Sequence, residues 1–155
     1  MEKEKVLFIC VHNSARSQMA EEFLRALGND RFEVSSAGFE PTEINPLVME
    51  VMREEGLDLS HKKTQSVFDL YKQGRIFNYV ITVCKKGQDQ DCPIFPGISH
   101  RINLPFEDPA KLEGNYQERL VKTREIRDSI KELVTLFAEA VESGSIEKFC
   151  SLNAC

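Results

Sequence analysis

The chain has 155 residues, 41% of them hydrophobic and 29% charged, with a formal net charge of -5. This is the composition of a single globular domain with room for a core, and an acidic balance without a long Lys/Arg run argues against nucleic-acid binding. No apolar run reaches membrane-spanning length, and the opening MEKEK runs into a strand pattern rather than a secretory leader, so a cytoplasmic protein is expected. Its cysteines are Cys10, Cys84, Cys92, Cys150 and Cys155. An odd number without a leader does not read as a secreted disulfide framework; in a reducing compartment thiols point to catalysis, redox exchange or metal binding.

Val6 to Ile9 is a short apolar run, consistent with a strand buried on both faces. From Ser17 the residues Met19, Ala20, Phe23, Leu24 and Leu27 follow helical spacing, and Gly28 is a natural stop. Phe32 to Ser36 reads as a second strand. The segment NPLVMEVMREEG predicts a helix capped by Asn45, with Pro46 in its first position and Gly56 at its end. Gln65 to Lys72 suggests a shorter helix, Ile76 to Cys84 is β-rich, and His100 to Leu104 is a weaker strand candidate. Ile126, Ile130, Leu133, Val134, Phe137 and Val141 form one stripe of a long helix within Tyr116 to Glu142. Residues 1–143 read as one domain. Residues 144–155 form a tail with two cysteines, Cys150 and Cys155, and no recognisable pattern; it reads as a further redox pair or as a disordered end, of which the second is expected.

Alternating strands and helices predict an α/β domain with a mostly parallel sheet. Ligands of such folds bind beyond the carboxyl ends of the strands. Cys10 and Cys84 each follow a predicted strand and can therefore share one crevice.

The loop Cys10-Val11-His12-Asn13-Ser14-Ala15-Arg16 joins the first strand to the first helix. A short connection of this kind can turn several backbone N–H groups inward at a helix N-terminus, where a tetrahedral oxyanion fits. Val11, His12, Asn13, Ser14, Ala15 and Arg16 are the candidate substrate-binding residues. Arg16 can give two parallel hydrogen bonds to one anion. The same groups favour thiolate over thiol, and Ser17 can donate to the sulfur. Cys10 is the candidate nucleophile. His12 is given a shaping role and no proton transfer.

With CVHNSARS and the following QMAEEFL, then SSAGFEP, NPLVMEVMREEGLDLSHKKTQS, YVITVC, DCP and FEDP in order, the chain resembles the low-molecular-weight protein tyrosine phosphatase superfamily, and within it the thioredoxin-coupled arsenate reductases. The resemblance runs from Lys5 to Ser143. It implies a single α/β domain whose four-stranded parallel sheet is flanked by helices on both faces. It also implies Cys10 as nucleophile, Arg16 as oxyanion clamp, Ser17 as thiolate stabiliser and Asp108 as general acid. An Asp before a Pro takes an extended or turn conformation and can point into a crevice.

Cys84 and Cys92 bracket a polar segment, KKGQDQD, and closing so short a loop costs little entropy. The pair favours a reductase: arsenate bound to Cys10 would be reduced by a Cys10–Cys84–Cys92 disulfide relay, regenerated by thioredoxin or a similar dithiol protein. No cofactor and no resident metal are expected, and the chain is taken as a monomer. Ala15 stands where many members carry a second loop cysteine, so no disulfide can form within the loop. Some relatives bind potassium near the loop; Asn13, Glu21, Ser36 and Thr64 suit such a site, but Gln65 replaces an acidic residue, and the ion is not predicted.

Two rivals follow. One is a phosphatase that hydrolyses a phosphocysteine with water. The other is a non-enzymatic thiol-sensing or metal-binding module using Cys84, Cys92, Cys150 and Cys155; four thiols can hold zinc, but seven intervening residues are not tight zinc spacing.

Overall fold

The computed structural model describes residues 2–28, 30–85 and 100–153. In chain order these form β1 (Glu4–Cys10), α1 (Arg16–Gly28), β2 (Phe32–Gly38), α2 (Pro46–Glu54), α3 (Val67–Lys72), β3 (Tyr79–Thr82), β4 (His100–Asn103), a single 3-10 turn (Pro109–Lys111), α4 (Tyr116–Ser143) and α5 (Ile146–Asn153). The strands make one parallel sheet in the order β2-β1-β3-β4. The expected four-stranded α/β architecture is observed.

The pleat of β1 sorts its side chains. Val6, Phe8 and Cys10 belong to the larger core, with Met19 and Leu24 of α1 and Ile130 and Phe137 of α4. Leu7 and Ile9 face the other way, onto Val67 and Leu70 of α3. Helices therefore cover both faces, and among the described residues α3 supplies the helical cover of the second.

Local signals set several boundaries. Asn45 Oδ1 accepts from Leu47 N at 2.9 Å, and Pro46 opens α2, as its sequence predicts. Ser66 caps α3 in the same way. Gly144, at φ 72°, closes α4 in a left-handed conformation that Gly adopts without a Cβ penalty. β3 is shorter than its sequence suggests. Only Tyr79–Thr82 pair with Val6–Ile9, and the Asn78 side chain accepts from Lys5 N at 2.7 Å, just ahead of the ladder.

The tail departs from expectation. Ile146–Asn153 is helical, and Phe149 is buried against Phe137, with ring centroids 6.0 Å apart. Eight residues with one buried aromatic give too little periodicity to be recognised in the sequence. Cys155 and Cys92 lie outside the described residues.

Candidate active site

Cys10 ends β1, and the loop after it is tied on its outer side to the segment following β2. Glu40 N donates to Val11 O at 2.8 Å, Thr42 N to His12 O at 3.1 Å, and Asn45 N to Ser14 O at 2.9 Å. In a planar trans peptide the next N–H points opposite to the carbonyl, and no peptide among the described residues is cis. The N–H groups of His12, Asn13 and Ala15 therefore turn away from that segment, towards the inside of the loop. The Asn13 N–H reaches Cys10 Sγ at 3.1 Å. His12 Nδ1 meets Glu40 O at 2.9 Å. A carbonyl only accepts, so the ring donates there and ties the loop to the segment after β2.

Asn13 organises the interior. It is fully buried, and its φ of 53° lies in the left-handed region, where Asn is among the tolerated residues. Gln65 N and Gln18 Nε2 both donate to its Oδ1, each at 3.0 Å. Because a backbone N–H can only donate, this sets which end of the amide is oxygen. Asn13 Nδ2 then donates to Ser17 Oγ at 2.8 Å and to Ser36 Oγ at 2.9 Å. Ser17 Oγ, already accepting, has its proton available for Cys10 Sγ at 2.9 Å. Ser36 likewise turns its proton to Glu21 Oε1 at 2.5 Å. One hydrogen-bonded path runs from Glu21 to the thiol, and it ends with the Ser17 hydroxyl donating to the sulfur.

Arg16 begins α1 and is 2% exposed. Its Nη1 donates to Phe106 O at 3.1 Å, and its Nη2 stands 3.5 Å from Asp108 Oδ2. Asp108, 5% exposed, also caps the 3-10 turn by accepting from Ala110 N at 3.0 Å. The segment after β4 is thus folded over the start of α1, bringing Asp108 to the clamp candidate.

Cys84 is 3% exposed and shares the larger core with Cys10. Ile9 pairs with Thr82, and Val83 N donates to Ile9 O at 2.9 Å. Cys84 therefore leaves the sheet at the same end as Cys10. Val83 and Cys84, although adjacent in sequence, both belong to the larger core. Cys150 is elsewhere. It follows Phe149, whose ring lies 6.0 Å from that of Phe137, and Phe137 in turn lies 5.3 Å from the Tyr79 ring. Tyr79 pairs with Val6, four residues or about 13 Å of strand before Cys10.

Sequence reasoning missed Gly38, Gln18 and Lys62. Gly38 pairs with Cys10 across the sheet, and Gln18 holds the Asn13 amide. A glycine ending a strand beside a loop was the available signal for the first. Gln18 and Lys62 give none, since each looks like an ordinary polar surface residue.

Two of the residues considered for potassium, Glu21 and Asn13, have their side-chain oxygens engaged by other groups. Glu21 Oε2 already faces Lys62 Nζ at 2.8 Å and Arg25, while its Oε1 and the Asn13 oxygen are both taken by donors. Gln65, where an acid was expected, acts as a donor, through its backbone to Asn13 and through Nε2 to Ser36 O at 2.8 Å. Among the described residues no group of three or more His, Cys, Asp or Glu is placed to hold a metal.

A thiol bonded by a loop amide and a serine hydroxyl at the carboxyl edge of a parallel sheet, with a buried arginine at the start of the next helix, defines a phosphatase-like α/β protein. Comparison with known families agrees: residues 5–145 match the family described as low molecular weight phosphotyrosine protein phosphatase, and the chain belongs to it. An arsenate reductase of Shouchella clausii is 37% identical over 143 residues, covering 92% of this chain and all of its own. The crystal structure of an arsenate reductase from Archaeoglobus fulgidus superposes with a TM-score of 0.62 at 31% identity, over 84% of this chain and 98% of that one. A thioredoxin-dependent arsenate reductase from Corynebacterium glutamicum gives 0.56 at 32% identity, over 86% and 63%.

Proposed function

We propose that this protein reduces arsenate to arsenite and is regenerated by thioredoxin or a similar dithiol protein. The observation that carries this reading is that a Ser17- and Asn13-bonded Cys10 and a second buried cysteine, Cys84, leave the sheet at the same end. Its relatives named arsenate reductase support it.

The Cys10 thiolate attacks arsenic, held by Arg16 and the loop amides, and Asp108 protonates the departing oxygen, which leaves as water. An S–As(V) bond results. Cys84 thiolate then attacks the Cys10 sulfur. The S–S bond forms, the S–As bond breaks, and its electron pair stays on arsenic, giving arsenite. Two thiolates have been oxidised and As(V) has gained two electrons. Cys92 attacks Cys84 next, releasing Cys10 as thiolate, and the external dithiol reduces Cys84–Cys92. The protein is expected to act as a cytoplasmic monomer in arsenic resistance. Among the described residues no helix is long and apolar enough to cross a membrane.

The second reading, hydrolysis of a phosphoester, is favoured by the same loop with Asp108 beside Arg16, because that chemistry needs no other thiol. Parallel assays separate the two. Arsenate-dependent NADPH oxidation through thioredoxin and thioredoxin reductase should exceed hydrolysis of an aryl phosphate, and Cys84→Ser should abolish the first while sparing the second. A chain that hydrolyses phosphoesters efficiently and ignores arsenate would be a phosphatase.

A further inference from the structure

Below the loop, a lysine from the connection between α2 and α3 reaches into α1. The Lys62 side chain is 9% exposed, and its Nζ lies 2.8 Å from Glu21 Oε2 and 2.6 Å from Glu22 Oε1. Arg25 bonds the same two carboxylates from the other side and also donates to Val34 O at 3.0 Å. Two cations thus face two carboxylates, and the group is neutral. Glu21 continues inward through Ser36, Asn13 and Ser17 to Cys10.

We propose that Lys62 is the loop's built-in cation: its tethered ammonium neutralises Glu21 and so positions the Ser36–Asn13–Ser17 path, making the loop independent of potassium. A buried carboxylate needs a counter-charge, and its loss leaves an uncompensated charge in a partly desolvated site. A free monovalent ion would have to be captured from solution. Lys62 is held at fixed distance by the chain, and a third cation beside it and Arg25 would be in excess of the two carboxylates. Lys62 does not touch the substrate; it acts through Glu21, which orients Ser36 as an acceptor for Asn13. The inference rests on reading the Cys10 loop as the oxyanion site, but its first readout needs no turnover.

The experiment compares thermal unfolding of wild type, Lys62→Met and Lys62→Arg in potassium, sodium and choline chloride at one ionic strength. Wild type and Lys62→Arg should melt within about 1 °C in all three salts. Lys62→Met should lose about 5 °C or more in choline and recover part of it in potassium. The arsenate KM of Lys62→Met should rise about fivefold in choline, with kcat changing less, and fall again in potassium. A wild-type chain stabilised by potassium over choline by several degrees would overturn the proposal. So would a Lys62→Met chain that melts like wild type in every salt. If Lys62→Met does not fold, the wild-type salt series still decides. A wild type that melts alike in all salts but reduces no arsenate would keep the role of Lys62 and dismiss the reductase reading.

Discussion

Gly38 lies directly against the backbone of Asn13: a Cβ at residue 38 would stand 2.7 Å from Asn13 N and 2.8 Å from Val11 O. These are backbone atoms, so no side chain can swing aside. Gly38 N also donates to Gln65 O at 2.9 Å, which holds the strand end in place. Gly38→Ala should therefore push out the loop that offers N–H to Cys10. The expected cost is about 1–3 kcal/mol of stability, as for overpacking elsewhere, with slower alkylation of Cys10 by iodoacetamide. Denaturant unfolding together with the alkylation rate checks this, and a fully wild-type rate in the variant would show that the loop tolerates the methyl group.

Ser17→Ala removes the hydroxyl that Asn13 Nδ2 primes as a donor to the sulfur. Because the hydrogen bond is to a charged group, about 1.5–3 kcal/mol is at stake, or roughly 10- to 100-fold in the rate of Cys10 alkylation at neutral pH. Ser17→Thr should retain most of the rate. Equal rates for Ser17→Ala and wild type would remove the hydroxyl from the account of thiolate activation.

The proposed relay has an order: Cys84, buried in the same core as Cys10, attacks first, and Cys92 acts after it. Cys92→Ser should complete one turnover, release one equivalent of arsenite, and stop as a Cys10–Cys84 disulfide. Peptide mapping by mass spectrometry under non-reducing conditions reads the bond directly. Multiple turnovers of Cys92→Ser with thioredoxin would eliminate this sequence of exchanges.

Acid should loosen the fold from its carboxylates. Burial acts to raise Glu22, but the hydrogen bond and charge of Lys62, with Arg25, outweigh it and lower the group from 4.5. Glu54 is also lowered from 4.5, chiefly by its hydrogen bond from Arg124, with Arg127 adding to it. A carboxylate lowered in the folded state adds stability above its unfolded value and loses it as pH falls through the folded one. The melting temperature should hold near neutral pH and drop below about pH 4.5. Glu22→Gln should melt lower at neutral pH but lose less between about pH 5 and about pH 3. An acid limb identical to wild type would remove Glu22 from it.

Phe149 is buried at 5% exposure and meets Phe137. Phe149→Ala should cost about 3–5 kcal/mol, read by denaturant unfolding. Arsenate turnover at a temperature well below the midpoint should persist, because α5 docks through Phe149 on Phe137, which packs on Tyr79 at the other end of the sheet. An unchanged midpoint would mean that α5 adds nothing to the core.

Much of this molecule is written locally. The apolar run of β1, the Asn45 cap with Pro46 behind it, and the stripe from Ile126 to Val141 each carry their structure in a few neighbouring residues, because strand pleat, helix period and capping are short-range properties. The same holds for the spacing from Cys10 to Ser17, which places a thiol, an arginine and a hydroxyl around one loop. What needed the tertiary structure is the shell behind them. That Gly38 meets Asn13, that Lys62 reaches Glu21 across 41 positions of sequence, that Cys84 joins the same core as Cys10 and that α5 docks on Phe137 all depend on sheet register and helix docking. Those are set by the packing of the whole core, so the residues that hold the nucleophile in place leave no periodic or compositional trace where they stand in the chain.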